Sequence, residues 1–316
     1  MNALQSEIEK LYSEQLTEWE QFREQALRLN EVKIRTFNFG NPNTGKYVIK
    51  TQYNPARAVS SNAKLDGKSI AARKCFLCPE NRPAVQREVR LNENFVALVN
   101  PFPVLKEHFT IPLIQHKKQE ILPYLGDMLD FAQMLPGFTV FYNGPKAGAS
   151  APDHLHFQAV RKGQLPFEQE YQLFSSLNRT ELYSIGCQSY TNTNKNGRIC
   201  ALQNYGRSCL LMQSPEKETA QRLFQQVYAQ LQASTGAKEE PMMNVFTLFE
   251  NNEWNLLVFP RKAHRPSCFF AKGNDFKMIS PGAIDIAGVF VLPRKEDFDS
   301  VDEKIISDVL RQVSLV

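Results

Sequence analysis

The chain has 316 residues, 42% of them hydrophobic and 22% charged, with a formal net charge of +4. That leaves room for two ordinary domains and a packed core, and the mild positive balance suits an anionic small molecule without calling for nucleic acid. The opening MNALQSEIEK reads as no secretory signal, no run approaches the roughly 18 apolar residues of a membrane span, and six cysteines in a chain this long are no disulfide scaffold, so a cytoplasmic location and no membrane partner are expected.

Residues 3–30 are rich in helix formers, with Leu11, Leu16, Trp19, Phe22 and Leu27 at helical spacing, and predict one long amphipathic helix. The runs KIRTFNFG and KYVIKTQY, split by NPNTG, predict a hairpin. A basic loop follows over 54–74 and leads into CFLCPENRP at 75–83. Strands are expected at 95–100, 108–113, 138–143 and 154–160, with a helix at 117–134, so that one antiparallel unit closes near residue 165. The second half repeats the plan in worn form, with a helix over 215–233 and strands at 244–249 and 254–259. Ile111-Pro112 precedes His116 at the spacing by which Phe259-Pro260 precedes His264, which suggests internal duplication. The segment 280–292 stands where a second histidine strand is expected, and it has no histidine. The expected architecture is α+β in two halves, 1–165 and 166–316, each an antiparallel sheet with flanking helices.

The chemistry concentrates in 150-SAPDHLHFQAV-160. On a strand His154, His156 and Gln158 share one face and Leu155 and Phe157 the other. Upstream, Cys75-x-x-Cys78 offers two sulfurs from one turn, and zinc would take two further ligands from His108, His116, His154, His156 and His264. A redox pair or a metal-free turn are the alternatives; no helix start follows the motif, which speaks against the redox reading. If His154 is a ligand, His156 is free to act as base or nucleophile. Attack by its imidazole on phosphorus would give a nucleotidyl-histidine. The loop 143-NGPKAGAS-150 supplies small residues, Lys146 and Asn143, through which backbone N–H groups approach a phosphate.

The strand HLHFQ with its small-residue loop resembles the H-x-H-x-Q signature of the transferase branch of the histidine-triad superfamily. That branch includes galactose-1-phosphate uridylyltransferases, diadenosine tetraphosphate phosphorylases and GDP-L-galactose phosphorylases. CFLCPENRP is similar to the uridylyltransferase zinc loop, and IPLIQH to the strand-Pro-x-x-x-His element. The wording FVALVNPFPVLKEHFTIP and PGAIDIAGVFVLPRKEDF is closer to the phosphorylases. The resemblance implies a structural zinc on Cys75, Cys78, His116 and His154, with His156 as nucleophile and Gln158 orienting the phosphate. Asn143, Gly148, Ser150 and Arg57 would bind substrate. It further implies a nucleotide sugar or dinucleoside polyphosphate as donor, inorganic phosphate or a sugar phosphate as acceptor, and pairing as a homodimer. The second metal site of uridylyltransferases has only His264 to build on, Asp153 replaces a usual proline and reads as a surface turn residue, and His108 reads as structural or pocket-lining. The alternative is a non-catalytic, zinc-stabilised nucleotide-binding protein.

Overall fold

The computed structural model describes residues 3–41, 45–58, 67–177 and 197–315. The N-terminal helical stretch forms two helices, α1 (Ala3–Glu18) and α2 (Glu20–Arg28), because Trp19 between them adopts an extended backbone. The hairpin is present as β1 (Lys33–Asn41) and β2 (Gly45–Tyr53), antiparallel along its whole length. A short helix α3 (Gly67–Ala72) precedes the cysteine loop.

Strands β3 (Glu88–Arg90), β4 (Val96–Val99) and β5 (Phe109–Pro112) are followed by helix α4 (Leu125–Met134), then β6 (Phe138–Asn143) and β7 (His156–Arg161). The helix expected from residue 117 starts later. Residues 114–121 are irregular, and Pro123 sits in a short 3-10 turn that leads into α4. The histidine strand also starts later than expected. His154 lies in a bend, and only from His156 does the chain pair regularly.

After α5 (Phe167–Leu177) come β8 (Arg198–Ala201), β9 (Leu210–Ser214), α6 (Lys217–Thr235), β10 (Met243–Glu250) and β11 (Glu253–Pro260). Asn251 and Asn252 both take positive φ (53° and 61°), as a two-residue hairpin turn requires, and asparagine tolerates this better than most residues. The chain ends through α7 (Ala283–Ile286), β12 (Val289–Leu292), α8 (Lys295–Ser300) and α9 (Glu303–Val313).

The strands of both halves form one nine-stranded antiparallel sheet, ordered β3-β4-β5-β7-β6-β10-β11-β9-β8. The halves meet where β6 pairs with β10, from Val140↔Thr247 to Asn143↔Asn244. Reading outward from that seam, β6, β7, β5 and β4 mirror β10, β11, β9 and β8, with α4 and α6 as matching crossovers. This corrects the repeat read from the sequence. The counterpart of the histidine strand β7 is β11, which lacks histidine, and the segment 280–292 instead supplies β12, parallel to β2 in a separate three-stranded sheet. Ile111-Pro112 closes β5, whose counterpart β9 ends at Ser214-Pro215, so the Pro–His spacing shared with Phe259-Pro260 is not a match of position.

Helices α1, α2, α4 and α6 cover one face of the large sheet, where Phe22, Phe131, Phe224, Ile111 and Phe157 lie in one core. The other face carries Phe141, Phe246, Leu257 and Phe259 and packs against the small sheet and the C-terminal helices. Alternation along β7 decides which residues meet which layer: Phe157 and Ala159 enter the helix-side core, so His156 and Gln158 face the small-sheet side.

Candidate active site and metal centre

Cys75, Cys78, His116 and His154 converge, with all four ligand atoms within 4.8 Å of one another. Cys75 Sγ lies 3.2 Å from His154 Nδ1, and Cys78 Sγ lies 3.2 Å from His116 Nδ1 and 3.5 Å from His154 Nδ1. Tetrahedral zinc with ordinary Zn–S and Zn–N bonds has S···N edges of about 3.5 Å. The His154 tautomer fits as well. Its Nε2 is 2.6 Å from the Leu113 carbonyl, which only accepts, so Nε2 carries the proton and the Nδ1 lone pair faces the sulfurs. Burial and the neighbouring Cys75 push the Cys78 thiol up to about 11, an environment that admits a thiolate only beside a cation. These residues form a group that could hold a metal ion.

The loop is braced locally. Asn81 Nδ2 donates to the Cys75 carbonyl (3.0 Å) and Arg82 Nε to the Leu77 carbonyl (2.9 Å). Asp153 is not a bare turn residue: it accepts from Arg73 at 2.6 Å and stands 3.9 Å from His116 Nε2. His264 is far from forming a second cluster; among the described residues no other metal-ligating group is found.

His156 opens β7 with its ring almost fully buried, 3% exposed. Its Nδ1 is 2.8 Å from the His154 carbonyl, so Nδ1 carries the proton and Nε2 holds the lone pair. Among the described residues nothing bonds Nε2, and it is not one of the sealed, unpartnered side-chain atoms. Burial lowers this imidazole to about 4, which keeps it neutral at neutral pH.

Gln158 is oriented by His108. The backbone N–H of Val104 points at His108 Nδ1 (3.5 Å), so the proton sits on Nε2 and is donated to Gln158 Oε1 at 2.7 Å. The Gln158 amide N–H groups are thereby turned away from His108. Burial lowers His108 to about 4, so it is neutral too. Arg57 ends the turn after β2 and exerts its charge on His108, His264 and Asp285 alike.

The loop 143–150 is held by the second half. Asn143 Oδ1 accepts from Ala283 N (2.8 Å) and from Asn244 Nδ2 (3.1 Å), while Asn244 Oδ1 accepts from the fully buried Arg261 (2.7 Å). Gly148 has φ of +103°, and a Cβ there would lie 2.7 Å from Gly282 Cα, so the loop needs glycine for both conformation and clearance. Ser150 is exposed, and its carbonyl accepts from Arg73 at 3.4 Å.

Gln119 has no sequence signal and is central. The β6–β7 pairing stops at Phe141↔Gln158. Two steps further on, where the register would set Asn143 opposite His156, the Gln119 side chain intrudes. It donates to the carbonyls of Asn143 (2.9 Å) and His156 (3.0 Å) and accepts from His156 N (2.8 Å).

Residues 181–316 match the GDPGP1-like, C-terminal domain, and residues 11–161 match DUF4922, a domain of unknown function. Yeast Ap4A phosphorylase Apa2 in complex with Ap4A superposes with a TM-score of 0.60 at 14% identity, over 100% of this chain and 98% of that one. The same enzyme with AMP gives 0.55 at 17% identity, over 93% and 94%. At this level of identity the likeness to Apa2 is one of fold. The α+β fold in two halves expected from the sequence is therefore the one observed. No curated protein sequence matches the chain. Among the described residues no helix is long and apolar enough to cross a membrane.

Proposed function

We propose that this chain is a nucleotidyltransferase or phosphorylase that works through a covalent nucleotidyl-His156. In the first step the His156 Nε2 lone pair attacks the phosphorus bonded to the nucleoside of a nucleotide sugar or dinucleoside polyphosphate. A P–N bond forms, and the P–O bond to the sugar phosphate or distal nucleotide breaks. In the second step an oxygen of inorganic phosphate or a sugar phosphate attacks the same phosphorus and the P–N bond breaks. Charge that gathers on the phosphoryl oxygens meets the Gln158 amide N–H groups and the loop from Asn143 through Gly148 to Ser150, with Arg57 beside them.

The observation that carries this reading is the pair of fixed tautomers: a neutral His156 with a bare Nε2, two residues from a glutamine whose amide is turned outward by His108. Glutamine at that position cannot serve as an acid to protonate a leaving group or activate water, which favours transfer to a phosphate acceptor. The metal at Cys75, Cys78, His116 and His154 is read as zinc in a structural role. It ties the loop before β3 to the residues that lead into β7. The 1–165 half carries the reacting groups and the 166–316 half braces them. Pairing as a homodimer and a cytoplasmic location belong to the same proposal.

Single-turnover incubation with labelled nucleotide sugars and dinucleoside polyphosphates tests it. An acid-labile, alkali-stable adduct that disappears in His156→Gly, with metal content and fold retained, is expected. Phosphorolysis by His156→Gly at the wild-type rate overturns the mechanism, and nucleotide binding with no adduct from any donor makes the chain a binding protein instead.

A further inference from the structure

We propose that Glu240, from the second half, is a positioning residue for His156 and acts through Gln119; its kinetic arm rests on the function proposed above. The two strand ends that flank the candidate nucleophile do not hold each other directly. A side-chain amide stands between them and makes three hydrogen bonds in place of the missing ladder. The position of that amide is set by its own backbone, which lies in the irregular stretch 114–121.

Its entry is held by Ile114 N donating to the Asn94 carbonyl (2.8 Å) and its exit by Tyr124 N donating to the Ile121 carbonyl (2.9 Å); around Gln119 three further bonds act. Leu155 N donates to the Lys117 carbonyl (2.7 Å), Gln119 N to the Pro152 carbonyl (3.2 Å), and Ile121 N to Glu240 Oε2 (2.8 Å). The first two come from the loop that the stretch itself supports, so they move with it. The third comes from the chain just before β10 and anchors the stretch to the other half. The second oxygen, Oε1, accepts from the hydroxyl of Tyr142 (2.8 Å), the residue before Asn143 on β6. One buried carboxylate thus grips both the stretch that bears Gln119 and the strand Gln119 braces. Burial pushes this carboxyl up to about 7. Its two bonds survive a change to an amide, since Gln can accept from Ile121 N and donate to the Tyr142 oxygen.

The test combines Glu240→Ala, Glu240→Gln, Gln119→Ala and the double variant Gln119→Ala/Glu240→Ala. Adduct formation in a single turnover should slow roughly tenfold to a hundredfold in Glu240→Ala, the scale of a slightly misplaced nucleophile. Nucleotide affinity should change little, and Glu240→Gln should recover the rate to within about threefold of wild type. In the Gln119→Ala background, Glu240→Ala should add almost nothing, because coupled residues are non-additive. Additive losses, or a wild-type rate in Glu240→Ala, overturn the proposal. A second readout needs no chemistry: hydrogen exchange of the peptide spanning 154–160 should accelerate in Glu240→Ala and not in Glu240→Gln. Wild-type protein that forms no adduct sinks the function, while this exchange pattern still decides the role of Glu240; unchanged exchange in Glu240→Ala overturns that role.

Discussion

Acidification should weaken the fold through His108, and the size of the effect follows from its surroundings. Burial lowers His108 from 6.5 to about 4 in the folded state. A group with a depressed folded value contributes stability above its unfolded value and loses it as pH falls toward the folded one. The window is therefore between 6.5 and about 4, where the unfolded chain takes up a proton that the folded chain refuses. Moving from neutral to about pH 5 should cost about 2 kcal/mol from this residue alone. The structural reason is specific: protonation would put an N–H on Nδ1, where Val104 N–H already points. Other groups titrate in the same range with the opposite sign. Glu240, pushed up to about 7, takes a proton more readily when folded and gains stability as pH falls. The total curve is thus a mixture, and the His108 share must be isolated by difference. Urea unfolding of wild type and His108→Gln at both pH values does this. Wild type should lose about 2 kcal/mol more than the variant over the interval, whatever their absolute stabilities. Parallel curves would mean that His108 is not held neutral by burial.

Three further outcomes are expected. Cys75→Ser should bring bound metal close to zero by elemental analysis and lower the thermal midpoint, and a variant that keeps both would dissociate the cluster from metal binding. Gly148→Ala should lose roughly 1–3 kcal/mol in chemical denaturation, since φ of +103° and the contact with Gly282 both resist a Cβ; wild-type stability would contradict the loop geometry. Gln158→Ala should slow adduct formation roughly 10²–10³-fold while nucleotide affinity falls far less, and equal losses in both would make Gln158 a binding residue only.

The strands and their faces were legible because alternation is local: Phe157 and Ala159 enter one core, and Asn251 and Asn252 take the positive φ that closes the hairpin of β10 and β11. The ligand group was legible because soft sulfur and imidazole donors are rare in this sequence and chemically selective. Sequence order does not reveal which strand neighbours which, so the echo of Pro260 was matched to β5 although β11 corresponds to β7. The break at Trp19 was hidden because Trp19 also fits the apolar helical spacing. Gln119, Asn244, Arg261 and Glu240 went unseen for one common reason. Each is a polar residue whose meaning lies in a partner brought close by tertiary structure, 119 residues away in the case of Glu240 and Ile121.

The pairing of β6 with β10 has a consequence for any attempt to divide the molecule. A polypeptide stopped near residue 165 would leave the outer rim of β6 bare, with backbone groups from Val140 to Asn143 seeking partners beside Phe141 and Tyr142. Such a piece should clump when made alone. Two complementary pieces produced together should instead zip along that rim and rebuild the continuous nine-stranded sheet.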